Sequence, residues 1–171
     1  MSVDMLITMW REFRNGLVAE VVQVPEDQFS FRATPEVRSV AELLQHIVEV
    51  QKTLVGEAGR ADANLRRQSF ADHIQEYASE VKSVTDKNGW LELLRSSMEI
   101  CEANLRSNGD MINDSMGGLD GKPTPKLKVV NFAMSHEMYH RGQLTVYERL
   151  MNLEPALTKQ FAKIMAQANN S

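Results

Sequence analysis

Residues 132–150 read FAMSHEMYHRGQLTVYERL, and the placing of two histidines in that run decides how the rest of the chain is read. Apolar and small residues recur through it every three to four positions, the period of an amphipathic helix. At about 100° per residue, His136 and His140 lie within about 40° of each other, one turn apart. Gln143 falls about 20° to the other side, and Val129, Phe132, Tyr147 and Leu150 lie within about 40° of the same direction. The histidine stripe is therefore read as the core-facing stripe, with Asn131, Arg141, Thr145 and Arg149 on the far side. An imidazole is costly to bury unless both ring nitrogens find partners. Either the core hides two separately satisfied histidines, or something sits between them.

Outward from this segment the chain is helical. The histidine helix follows a loop rich in Gly, Asn, Asp and Pro, SNGDMINDSMGGLDGKPTP (107–125). Thr124 and Pro125 suit an N-cap and a first helical residue, and the pattern runs to about Asn152. A first helix over roughly 3–24 carries Leu6, Met9, Trp10, Phe13, Leu17, Val21 and Val24 at helical spacing, until Pro25 breaks it. Ser39 with Glu42 forms a capping box for a second helix. Its inward stripe is Leu43, His46, Ile47, Val50 and Leu54, with Gly56 and Gly59 closing it. A third helix from about Trp90 to Leu105 uses Leu94, Met98, Cys101 and Leu105. The connection between the second and third has its own pattern, Phe70, Ile74, Tyr77, Val81 and Val84. After Pro155 comes a short one, Leu157, Phe161, Ile164 and Met165. No segment reads as a strand. The expectation is an all-α four-helix bundle with additional short helices, one domain spanning residues 1–171.

Bulk composition narrows the function classes. The 171 residues are 43% hydrophobic and 25% charged, with a net charge of −4. No run of Lys or Arg forms a patch, which argues against electrostatically driven nucleic-acid binding. The opening residues lack the layout of a signal peptide, and no apolar run approaches the ~20 residues needed to span a bilayer. A single cysteine, Cys101, excludes an intrachain disulfide. A cytoplasmic protein is expected.

His46 on the second helix also points at the core, so three of the four histidines face inward on two long helices. If those helices are neighbours at matching height, the three imidazoles converge. Such a site suits one divalent first-row ion, Ni, Zn or Fe, and leaves coordination positions open for water or substrate. Satisfied core histidines are the competing reading. A di-iron centre needs two E-x-x-H motifs; Glu137-x-x-His140 is one, and Leu43 stands where His46 would need the second. His73 reads as a solvated or boundary residue. Cys101 reads as a small buried hydrophobe on its stripe. The glycine-rich loop is punctuation, or at most a lid over one bundle end.

The pair LLQHIVEVQ (43–51) and HEMYHRGQL (136–144), with the capped SVAELLQHI entry and the long loop before the last bundle helix, resembles the DinB-like proteins, also grouped with the YfiT-type metalloenzymes. The resemblance covers nearly the whole chain. It implies a bundle of up-down-down-up order and one metal, commonly nickel or zinc, on three histidines near one end of the core. Carried over residue by residue, the ligands are His46, His136 and His140. The resemblance further implies frequent homodimers and, in characterised relatives, thiol-dependent chemistry such as S-transfer and isomerisation. Gly142 suits close helix or subunit packing, Arg141 an outward ion pair or dimer contact. Gln143 could hold a water or a ligand nitrogen, and Glu49, one turn after His46, is the nearest carboxylate.

The expected function is metal-dependent transfer of a low-molecular-weight thiol to a small electrophilic substrate. The alternatives are a metal-dependent hydrolase and a non-enzymatic metal-binding stress or sensor bundle with a protein partner. An enzyme should leave its metal site open to a pocket, whereas a binding module should occlude it.

Overall fold

The computed structural model describes residues 2–168. Four long helices, α1 (Val3–Gln23), α2 (Val40–Ala58), α4 (Lys87–Ser107) and α5 (Lys126–Leu150), make the bundle, with α3 (Phe70–Ala78) and α6 (Ala156–Ala168) as shorter additions. Both α1 and α2 pack against α4 and α5, so the first two bundle helices face each other across the diagonal. Local chemistry sets the helix starts. Ser39 accepts from the Glu42 N–H at 3.2 Å while the Glu42 carboxylate accepts from the Ser39 N–H at 2.8 Å. Asp86 caps α4 through Gly89, and Ser69 caps α3 through Asp72. Among the described residues no helix is long and apolar enough to cross a membrane.

The apolar core is in two parts. One gathers Leu6, Trp10, Leu54, Met98 and Val130; the other gathers Leu17, Leu44, Ile47, Leu94 and Leu144. Along each bundle helix a polar residue separates the two: Arg14 on α1, Gln51 on α2, Ser97 on α4 and Glu137 on α5. These are fully or almost fully buried. The Arg14 guanidinium donates to both oxygens of Glu137 at 2.8 Å, to Leu94 O at 2.5 Å and to Ser97 Oγ at 2.8 Å. It also donates to Gln51 Oε1. The Trp10 indole N–H adds a 2.8 Å bond to Glu137. A buried charge is tolerated only when paired and saturated with hydrogen bonds, and here one guanidinium meets all four helices to achieve it.

Two further buried carboxylates anchor the additions. Glu57 accepts from Arg67, Tyr77 and the Asn64 N–H, each at 2.9 Å, fixing α3 and its approach to α2. Glu20 accepts from Arg141 at 2.8 Å and from the N–H of Ala156 at 2.5 Å, which holds the start of α6. Beside it, Glu148 is buried, and one of its oxygens meets no donor among the described residues. Burial, then the charge of Glu20, then a hydrogen bond to Glu20 push the Glu148 carboxyl up from 4.5 to about 8. Between those values the unfolded chain has lost this proton and the folded chain keeps it, so the folded state binds more protons and stability falls as pH rises. The expected slope is on the order of 1 kcal/mol per pH unit. Urea denaturation at about pH 5 and about pH 8 should reveal it in the wild type and find it much reduced in Glu148→Gln. Equal slopes in the two proteins would refute it.

Several local expectations are corrected. The glycine-rich loop contains a small antiparallel ribbon, β1 (Ser115–Gly117) with β2 (Pro123–Pro125), pairing Met116 with Thr124. It is stitched to the segment after α2 by Leu65 N–H to Gly117 O (2.9 Å) and Gly117 N–H to Ala63 O (3.1 Å). Three-residue strands containing proline carry too little alternation to be seen in sequence. Pro125, not Thr124, is the N-cap of α5. The apolar stripe of α6, Leu157, Phe161, Ile164 and Met165, is exposed.

Candidate metal centre

His46 comes from the middle of α2 and His136 and His140 from the middle of α5, and these two helices pack together. The height match that convergence requires is therefore present. His136 Nε2 lies 3.1 Å from His46 Nε2 and 3.0 Å from His140 Nε2, and one ring nitrogen from each of the three histidines lies within 4.8 Å of the others. Nitrogens each about 2.0–2.1 Å from one tetrahedral ion stand about 3.3 Å apart, so the observed separations fit a shared ion. Among the described residues this is the one cluster of His, Cys, Asp or Glu able to hold a metal.

The donor chemistry fits as well. Gln143 presents its amide oxygen to His140 Nδ1 at 2.8 Å, which places the proton on Nδ1 and leaves the Nε2 lone pair aimed at the other two rings. Among the described residues, His136 Nδ1 is buried without a partner. Three neutral imidazoles facing one another through Nε2 cannot all satisfy each other, since each donates through one nitrogen only. Burial pushes the His46 imidazolium down to about 4, with help from the positive charge of Arg38 and then from His140. Burial, His140, His46 and Arg38, in that order, push His136 down to about 4. Burial also lowers His140, against the opposing pull of its bond to Gln143. All three rings are thus neutral near pH 7, the state a metal ligand requires.

The histidine stripe is not the centre of the buried face of α5. Val130, Ala133, Glu137, Arg141, Leu144 and Glu148 are buried, whereas Phe132 and Leu150 are each 55% exposed. The inward direction runs through Glu137, about 100° from His136. The imidazoles occupy the flank of α5 where it meets α2, and His46 and His136 are half-buried. That displacement gives them access to water. A cavity of about 930 Å³ opens beside them, lined on the α2 side by His46 and Glu49, on the α5 side by Gln143 and Tyr147, and at its rim by Arg32 and Arg38. Among the described residues, none of the glycine-rich loop borders it.

The remaining candidates fall into place around this geometry. Glu49 is buried beside the cavity and accepts from Gln45 Nε2 at 2.8 Å, outside the imidazole cluster. Cys101 lies in the apolar core, where burial pushes its thiol up to about 12 and keeps it protonated. His73 is fully buried, not solvated: its Nδ1 stands 3.5 Å from Glu57 and 3.3 Å from Gln68. Arg141 turns inward, not outward. Its guanidinium lies over Gly16, where a Cβ would come within 2.1 Å of it. Gly142 faces open space, and no neighbour within 4 Å requires its missing side chain. Arg38, in the loop before the capping box, carried no periodic signal that could mark it. Its one sequence cue is that it immediately precedes the cap of the helix bearing His46.

Solved structures share this architecture. A DinB-like protein from Bacillus subtilis superposes with a TM-score of 0.67 at 19% identity, covering 86% of this chain and 92% of its own. A DinB-like protein from Bacillus cereus gives 0.68 at 15% identity, over 88% and 93%. A mycothiol-dependent maleylpyruvate isomerase gives 0.65 at 12% identity, over 84% of this chain and 61% of that one. No curated protein matches the chain. The model of the DinB family matches residues 1–170, and the chain belongs to that family.

Proposed function

We propose that His46, His136 and His140 hold one divalent ion, Ni, Zn or Fe, and that the protein is a metal-dependent transferase joining a low-molecular-weight thiol to a small electrophile. The observation that carries this reading is the convergence of three neutral Nε2 donors, at 3.0 and 3.1 Å along the chain of contacts, beside an open cavity. His46, His136 and His140 would hold the ion, which would acidify a bound thiol or water enough for it to act as a nucleophile near neutral pH. Gln143 fixes the tautomer and tilt of His140. Burial and Arg38 keep the imidazoles unprotonated. The α2 side of the cavity brings a small ligand to the exposed flank of His46. The buried Cys101 contributes no nucleophile, so the thiol must come from solution.

The cavity favours an enzyme over an occluded binding module, and the fold shared with a mycothiol-dependent isomerase supports thiol chemistry over hydrolysis. The same reading places the protein in the cytoplasm as a homodimer. The exposed apolar stripe of α6 supports a second copy, which would remove it from water.

The test is metal content by elemental mass spectrometry after loading with nickel or zinc and removal of free ion. The wild type should retain about one ion per chain and His46→Ala should not. A wild type that retains none, or a variant that retains as much, removes the basis of the reading.

A further inference from the structure

The loop from Phe29 to Arg38 is pinned to the site at several points, yet its last side chain is left unpaired. Backbone bonds tie Val40 N–H to Phe31 O (3.1 Å) and Ala41 N–H to Phe29 O (2.9 Å). Arg32 forms a two-pronged ion pair with Glu42, at 2.5 and 2.6 Å, and donates to Val37 O at 2.8 Å. From the other wall, the Tyr147 hydroxyl donates to Arg38 O at 2.8 Å. The backbone of Arg38 is thus held between the start of α2 and the helix that carries His136 and His140. Arg38 is exposed, and its guanidinium makes no hydrogen bond or ion pair to any described residue; the residue lines the same cavity as His46 and Gln143.

We infer that Arg38 is the anchor for a carboxylate on the small molecule that reaches the three histidines, so that the substrate class is a carboxylate-bearing thiol or electrophile. This rests on the metal-site reading given above and deepens it. A guanidinium matches a carboxylate with two parallel N–H···O bonds, and an arginine anchored through its backbone but free at its tip needs no internal partner broken to make them. The other charges around the cavity select among anions. Arg32 is neutralised by Glu42. Glu36 and Glu49 add negative charge to the lining, and like charges oppose a multiply charged phosphate more than a single carboxylate. The cavity of about 930 Å³ has room for a small metabolite between the guanidinium and His46.

The experiment compares two thiols that differ in this group, 3-mercaptopropionate and 2-mercaptoethanol, titrated into nickel-loaded protein and followed by the thiolate-to-nickel absorption band. The wild type should prefer the mercaptopropionate by about tenfold, the scale of one solvent-screened charge-assisted contact, and in Arg38→Gln the ratio should fall to near unity. Propionate should displace the ligand at lower concentration than inorganic phosphate. A preference that survives in Arg38→Gln, an equal affinity for the two thiols in the wild type, or stronger competition by phosphate would overturn the assignment. In parallel, the side-chain N–H signal of Arg38 is followed by nitrogen-resolved NMR on metal-free protein. It should shift saturably with mercaptopropionate and stay still with mercaptoethanol; a signal that moves with neither overturns the assignment too. If nickel fails to bind, the metal-site reading falls, and the NMR titration still decides Arg38.

Discussion

Replacing Glu137 with Ala is expected to lower folding stability by about 3–5 kcal/mol, the range for breaking one side of a buried ion pair. Glu137 is fully buried and Arg14 is 2% exposed. Removing the carboxylate strands a guanidinium and the Trp10 N–H in a layer that water does not reach. The cost is chiefly that of a buried charge left without its partner, not the loss of a favourable bond. Urea denaturation monitored by circular dichroism measures it. A loss below about 1 kcal/mol, as for a solvated surface pair, would show that the layer is wet and its charges screened. Replacing Arg14 and Glu137 together with apolar residues of similar volume should recover most of the loss, because the desolvation cost disappears with the charges.

Saturation with nickel or zinc should raise the melting temperature by about 10 °C. At free ion a thousandfold above the dissociation constant, binding to the folded state alone contributes about 4 kcal/mol, and for a chain of 171 residues each kcal/mol moves the midpoint by about 2–4 °C. The effect should vanish in His136→Ala, which removes the Nε2 that lies 3.1 Å from His46 Nε2 and 3.0 Å from His140 Nε2. It should reverse on addition of chelator to the wild type. A melting temperature indifferent to both ions would mean that the imidazoles bind nothing the folded state can use.

Much of the architecture was legible because the evidence for it is periodic. The four long helices, the capping box at Ser39 and the i, i+4 spacing of His136 and His140 are local patterns, and each appears where the pattern puts it. What could not be read was the direction of the core on α5. Glu137, Arg141 and Glu148 are charged, and a reading by residue type sends such residues to the surface. Their burial depends on Arg14 and Glu20, partners more than a hundred positions away, which no window of sequence contains. Taking the histidines for the centre of the buried face therefore misplaced that face by about 100°. Phe132 and Leu150 were drawn inward with it. His73 was missed for the same reason, because its burial depends on Glu57 across a loop. Arg38 lay in an irregular segment, where spacing says nothing about what a side chain faces.

The Trp10 bond to Glu137 has a practical consequence. The chain has two tryptophans, both almost wholly buried, one in each apolar cluster and on either side of the charged layer. Trp10 is hydrogen-bonded to the residue that adjoins His136, whereas Trp90 packs with the other half. The protein's intrinsic fluorescence is accordingly a two-channel gauge of its own interior. Emission from Trp10 reports water entering the charged layer, and emission from Trp90 reports loosening of the apolar half that holds Ile47 and Leu144. A Trp90→Phe chain would isolate the first channel without any attached dye.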